Sequence, residues 1–216
     1  MKNREKFLIV ALILGWSVTS FAQPIFGVRA GFNLSTMLAK DDQMNYGDEM
    51  NFKMKPGFNV GPTLEVPIND MFSFETALLL STLGVNSEYD YGGGNTKETL
   101  SLLYLQIPLT AKAAFDVGGT KLFGAFGPYL GYGLSGKWKS ADYPDEDVKW
   151  GTNTEEDHFK RFDFGLHFGA GVGIKAFEVG LSYDLGLANI ATDTGGGTKE
   201  MNRVLALNLG YKFGKK

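Results

Sequence analysis

The sequence predicts an all-β fold, an eight-stranded antiparallel up-and-down transmembrane β-barrel with short turns at one end and long loops at the other. Three observations predict it. Eight stretches alternate apolar and polar residues with period two, the signature of strands with two unlike faces. The connections between them alternate between tight and long. The polar faces are mostly Gly, Ser, Thr and Asn with one or two charges each, a composition that suits a narrow interior better than a surface facing water.

The clearest stretch is RFDFGLHFGAGVGI at 161–174, where Phe162, Phe164, Leu166, Phe168, Ala170, Val172 and Ile174 alternate with Arg161, Asp163, Gly165, His167 and three glycines. The same pattern opens the mature chain at 25–35, with Val28, Ala30, Phe32 and Leu34 opposed to Arg29, Gly31, Asn33 and Ser35. Strand two (54–66) sets Phe58, Val60, Leu64 and Val66 against Asn59, Thr63 and Glu65. Strand three (71–83) sets Phe72, Phe74, Leu78 and Leu80 against Ser73, Glu75 and Ser81. Strand four (100–115) places Leu103, Leu105, Ile107 and Leu109 opposite Tyr104, Gln106, Thr110 and Lys112. Strands at 120–135, 159–174, 176–187 and 203–214 complete the set. Short links fall at 67–70 (PIND), 116–119 (DVGG) and Lys175-Ala176, and long polar loops at 38–52, 84–99, 136–158 and 188–202. A barrel of the bacterial outer membrane has this alternation, with short periplasmic turns and long outer loops. A secreted barrel with an apolar interior would instead carry Lys and Glu on its polar face. The oily face is therefore expected outside, against lipid, and outer-membrane lipid is the first expected partner.

Composition narrows the function. The chain has 216 residues, 29 of them Gly, no Cys and a formal charge of −3. The missing Cys excludes disulfides, thiolate catalysis and Cys-ligated zinc. The small negative charge excludes nucleic acid as a partner. Lys2, Arg4 and Lys6, then the apolar run 7–16 and Ser20-Phe21-Ala22, read as a secretory signal peptide over 1–22. The barrel domain is 23–216, and the expected location is the outer membrane of a Gram-negative cell. Apart from residues 7–16, no apolar run approaches the ~18–20 residues of a membrane helix.

Several segments resemble the PorT-like outer-membrane β-barrel family of Bacteroidetes: TLSLLYLQIPLTAKAAF (99–115), FGPYLGYGLSGK (126–137), 161–174, and FEVGLSYDLGLANI (177–190). The most specific pieces are Tyr104-Leu105-Gln106-Ile107-Pro108, Gly127-Pro128-Tyr129 and the Asp163/Gly165 pair, although the family commonly has Glu where Gln106 stands. The resemblance implies a small outer-membrane barrel. Through the family's namesake it also implies a link to protein secretion, with a periplasmic or secretion-system protein as partner.

The lumen-facing charges are Arg29, Lys112, Arg161 and Lys212 against Glu65, Glu75, Asp163, Glu178 and Asp184, with His167 among them. Arg29, Glu65, Glu75, Lys112, Glu178 and Lys212 all fall in the half nearer the short turns. Interlocked there, they would plug an eight-stranded barrel, and a narrow pore is the alternative. His167 with Asp163, or His158 with Asp157, offers the residue types of a general base and its orienting carboxylate. The lipid A deacylase His-x-Ser pattern is missing. An omptin-like site, pairing Asp157-His158 with Asp41-Asp42, would need residues that share a strand face. No catalytic residue, metal ligand or cofactor is assigned, and a non-enzymatic structural or interaction module is expected. The long loops are acidic, most sharply at 140–159. Asp145, Glu146, Asp147 and Trp150 are the candidate loop-binding residues, with cation binding by the carboxylates as a lesser reading. Trp138 and Phe159, at the strand ends, are expected in an outer aromatic girdle.

Overall fold

The computed structural model describes residues 23–40, 51–90, 95–140 and 143–214; the segment 1–22, read from the sequence as a signal peptide, and the Asp41-Asp42 pair lie outside the described residues. Ten strands follow in chain order: β1 (Ile25–Lys40), β2 (Asn51–Pro67), β3 (Phe72–Ala77), β4 (Leu79–Asp90), β5 (Asn95–Val117), β6 (Thr120–Ser140), β7 (Glu146–Asp147), β8 (Phe162–Ile174), β9 (Phe177–Gly186) and β10 (Lys199–Lys212). β3 and β4 form one stave, interrupted at Leu78, whose amide still bonds the Pro62 carbonyl across the gap (3.0 Å). β7 is a two-residue flap on β6. The remaining staves pair antiparallel with their sequence neighbours, and β1 pairs with β10, Val28 opposite Tyr211. The ring of eight is closed, so no barrel strand leaves an unpaired edge.

The oily face points out. Phe162 is 75% exposed while the next residue, Asp163, is 2% exposed. Phe32 is 53% exposed beside Asn33 at 1%. In water such a surface would be untenable, whereas against acyl chains it is the favourable one. At the short-turn end, outward Phe177, Tyr211 and Phe213 pack ring against ring at 5.0–5.4 Å, as a belt at the membrane interface.

The short turns are built by their residues. Gly118 and Gly119, both with positive φ, make the two-residue hairpin between β5 and β6, and Asp116 Oδ1 accepts the Gly119 amide (3.0 Å). That backbone matches strand twist, and only Gly adopts it freely at both positions. Asn69 Oδ1 caps the β2–β3 turn by accepting from the Met71 and Phe72 amides.

Two expectations at the other end are corrected. The expected polar loop at 84–99 is strand on both sides of residues 91–94: β4 and β5 stay paired as far as Asp90 opposite Asn95. Pairing continues because the inward alternation continues through Leu83, Val85 and Ser87, and through Leu100 and Leu102 on the facing strand, all of them buried. Trp138 and Phe159 are not girdle residues. A register shift against Leu103/Tyr104 gives β6 one extra residue near Leu134. Inward positions change there from odd numbers (Tyr129, Gly131, Gly133) to even ones (Gly136, Trp138). Trp138 therefore turns inward and stacks on buried Phe159, centroids 6.3 Å apart.

The segment 143–161 folds back over the mouth. Val148, Phe159 and Trp150 join Met37, Leu83, Val85, Leu100, Leu102, Tyr104, Ile190 and Val204 in one apolar cluster. Trp150 fits because position 133 lacks a side chain: a Cβ there would lie 2.3 Å from the indole. Backbone bonds from Lys160 to Ile190 O and from Val148 to Gly136 O tie the fold-back to the rim. Truncating Phe159 to Ala removes its most buried anchor. Limited proteolysis in detergent should then cut within 143–161 at least tenfold faster, while the heat-resistant barrel band on a gel stays.

Candidate functional site

The candidate site is the lumen, and it has three levels. At the lowest, nearest the short turns, β1, β2, β3, β5, β9 and β10 each supply one long charged side chain. Glu65 and Glu75 stand directly opposite each other in the ladder, an arrangement that repels unless cations intervene. Two do. Lys112 Nζ donates to Glu75 Oε2 (2.8 Å) and Glu178 Oε2 (2.8 Å) and lies 3.6 Å from Glu65. Lys212 Nζ donates to Glu178 Oε1 (2.5 Å) and to Glu65, and Arg29 closes the set on Glu75. Three cations face three carboxylates, and Lys112, Lys212 and Glu75 are at most 5% exposed. The Phe123 ring lies 4.2 Å from the Lys112 ammonium. Carboxylate oxygens of Glu65, Glu75 and Glu178 converge within 4.8 Å, a spacing a divalent cation could bridge. Two ammonium groups stand among them and neutralise them instead.

The middle level is uncharged or paired. Asn59 Nδ2 donates to Asn33 Oδ1 (2.7 Å) and Asn208 Oδ1 (3.1 Å), and Asn208 donates to Ser182 Oγ (2.8 Å). His167 Nδ1 and Asp184 Oδ1 lie 2.5 Å apart. Sequence reasoning put His167 with Asp163. Residues four apart on a strand share a face but are separated by ~13 Å along it, while the residue opposite on the next strand is close. Asp184 is that residue. Asp163 instead accepts from Tyr129 Oη (3.2 Å) and Asn202 Nδ2 (2.9 Å). Tyr104, Tyr129, Asp163 and Gly165 therefore gather at one height, with Gly165 packed so that a Cβ would strike the Tyr129 ring (2.6 Å). A cavity of about 20 Å³, room for one water, touches His167, Asp184, Asn33 and Gln106.

The upper level is the apolar cluster under the fold-back. Arg161 belongs to its rim: it donates to the Gly133 carbonyl (2.8 Å), and its guanidinium lies 5.8 Å from the Tyr132 and Trp150 rings. Of ten predicted lumen residues, six meet in the ion cluster, His167 and Asp184 form a separate pair, and Asp163 and Arg161 stand apart from both. Asp145, Glu146 and Asp147 are exposed on the fold-back, but Trp150 is packed beneath it. Asp157 and His158 diverge, Asp157 accepting the Asn153 amide and His158 accepting the Lys149 amide. Beside His158 lies an open pocket of about 350 Å³ lined by Glu98, Trp138, Lys139, Tyr143, Glu146 and His158.

Among the described residues no helix is long and apolar enough to cross a membrane, and the lipid-facing surface belongs to the strands. A closed barrel with that exterior and an ion-paired interior defines an integral membrane β-barrel protein. The chain belongs to the outer membrane protein beta-barrel domain family, whose model matches residues 21–192. A comparison with curated proteins finds no match. Among solved structures the chain is similar to OprG of Pseudomonas aeruginosa (14% identity, 89% of this chain and 97% of that one, TM-score 0.47). It is also similar to Neisserial surface protein A (15%, 89% and 100%, TM-score 0.44) and to Ail of Yersinia pestis (16%, 89% and 100%, TM-score 0.40).

The ion cluster makes a prediction. Lys112→Met strands three buried carboxylates with two cations and should cost about 3–5 kcal/mol. Adding Glu178→Gln restores neutrality, so the double variant should be more stable than Lys112→Met alone, by at least ~1 kcal/mol of coupling. Denaturant unfolding in detergent measures both.

Proposed function

We propose that this protein is a closed, non-enzymatic structural and docking module of the outer membrane, its barrel an anchor and its outer mouth the working surface. The observation that carries this reading is the double closure of the lumen. The ion cluster fills the half near the turns, and the apolar fold-back fills the outer half. Between them the described residues line two cavities of about 20 and 30 Å³, each with room for about one water. A pore needs a continuous wet path, and a hydrolase needs a base, an orienting group and room for substrate together. The His167–Asp184 pair has the first two, but the cavities it borders among the described residues are these water-sized ones. His158 has the open pocket, but Asp157 is turned to another partner.

The PorT-like resemblance refines the reading. Its specific pieces, Tyr104, Tyr129, Asp163 and Gly165, form a packed belt at mid-lumen, so they serve the barrel rather than a partner. A partner of the secretion type would then meet the exposed ends: Asp145, Glu146 and Asp147 with the Trp138–Tyr143 pocket outside, or the short turns in the periplasm.

Two measurements test this. In planar bilayers the purified barrel should show no resolved conductance steps at 1 M KCl, and regular open-channel steps would contradict the module. Crosslinking in the native membrane should capture a stoichiometric protein through a photoreactive residue placed at Asp145. Capture only through a probe in the Asn69 turn would move the docking surface to the periplasm.

A further inference from the structure

The outer wall of the barrel carries a groove of about 470 Å³ across four neighbouring staves, β2, β4, β5 and β6, with Asp147 of β7 also on its lining. Register sets its rows. The lower row is Phe58, Thr82, Leu103 and Ser135, with Thr82 paired opposite Leu103 and Leu103 opposite Ser135. The upper row is Lys55, Gly84, Ser101 and Lys137, with Gly84 opposite Ser101 and Ser101 opposite Lys137. Irregularities in the wall border the hollow. β2 carries one extra residue between Met54 and Asn59 relative to β4, and β6 carries one against Leu103/Tyr104. Gly84, with φ +136°, sits mid-row without a side chain, and buried Ser35 donates to its carbonyl from inside (3.0 Å). A Cβ on Gly84 would strike the Leu100 carbonyl and reach the Lys55 side chain (3.1 Å).

The groove is ordered by polarity along the membrane normal. Below it, the outward positions of these staves (Val60, Leu64, Phe74, Leu78, Leu80, Leu105, Ile107, Leu109, Phe126, Leu130 among them) carry no charge. Lys55 and Lys137 are the first cations met on that wall, and Ser101 lies between them. Lys55 is half-buried, and its ammonium has one partner among the described residues, the Pro56 carbonyl at 3.4 Å. Among the described residues Lys137 has one ionic partner, the largely exposed Asp147, at 3.5 Å. Nearby Lys53 is different: Glu88 holds it at 2.5 Å.

We infer that this groove seats the phosphorylated headgroup of an anionic outer-leaflet lipid, its phosphate between Lys55 and Lys137 and its acyl chains on the Phe58–Leu103 wall beneath. Charge complementarity selects this occupant. Lys55, with no carboxylate partner among the described residues, and Lys137, held only loosely by an exposed one, attract an anion at the boundary of the lipid-facing wall, and the apolar face directly below suits an anion that carries hydrocarbon. A soluble anion would use the lysines and leave the wall unused.

Native mass spectrometry of the folded barrel in non-ionic detergent tests the site, with bis-phosphorylated lipid A and its dephosphorylated form as probes. The wild type should retain one lipid A and at least tenfold less of the dephosphorylated lipid. Lys55→Gln with Lys137→Gln should lower lipid A retention at least tenfold, and Lys137→Gln alone, on the exposed side, at least threefold. Lys53→Gln should leave it unchanged, and excess inorganic phosphate should not displace the lipid. Equal retention by wild type and by either the Lys55→Gln/Lys137→Gln double variant or Lys137→Gln alone, each checked as folded by its heat-modifiable gel shift, overturns the proposal. So does equal retention of the dephosphorylated lipid, which would mean acyl-chain binding alone, or displacement by phosphate, which would mean a free-anion site.

Discussion

Everything in this fold follows from the need to pair every backbone N–H and C=O inside hydrocarbon, where no water can substitute. Strands meet that need only as a closed ring, and closure of β1 on β10 makes this chain's ring eight staves around. Eight staves leave an interior that side chains can fill. Period two then divides the residues: what faces lipid must be apolar, and what faces inward must satisfy itself. Glycine, asparagine and serine line much of the lumen because larger residues would collide across it, and the few long side chains fill what remains.

How the interior is satisfied differs with height. Near the short turns the solution is electrostatic, three cations against three carboxylates within reach of one another. Burial of so many charges is favourable only as a complete set, since each ion loses its hydration and regains it from opposite neighbours. Toward the outer mouth the solution is hydrophobic, with Leu83, Leu100, Leu102 and Ile190 closed over by Val148, Trp150 and Phe159 from the fold-back. The asparagine ladder and the His167–Asp184 pair join the two.

Much of this was legible in the sequence, and the reason is local. Alternation over ten or more residues determines which face is which, and ranks of Gly, Ser and Asn opposite Phe and Leu determine which face is inside. The membership of Arg29, Glu65, Glu75, Lys112, Glu178 and Lys212 in one layer follows from counting residues up from the short turns. What alternation could not reveal is register between strands. The partner of His167 is a cross-strand neighbour, Asp184, and no spacing within one strand points to it. The extra residue of β6 reverses the facing of Trp138, and a bulge of one residue leaves no mark in a period-two pattern already rich in Gly. The outer plug was hidden for a third reason: Leu100 and Leu102 continue the inward set of Tyr104 and Gln106, but inward leucines read as a break in the polar face unless a cap is known to cover them.

The closed interior is the central claim, and the native chain's lack of cysteine makes it directly measurable. A single Gln106→Cys places a thiol between the two closures, and Asp145→Cys places one on the exposed fold-back. In the folded protein, a charged, membrane-impermeant thiol reagent should label position 145 readily and position 106 at least a hundredfold more slowly, with both equal after unfolding. Comparable rates at the two positions in the folded barrel would mean an open lumen and would contradict the account.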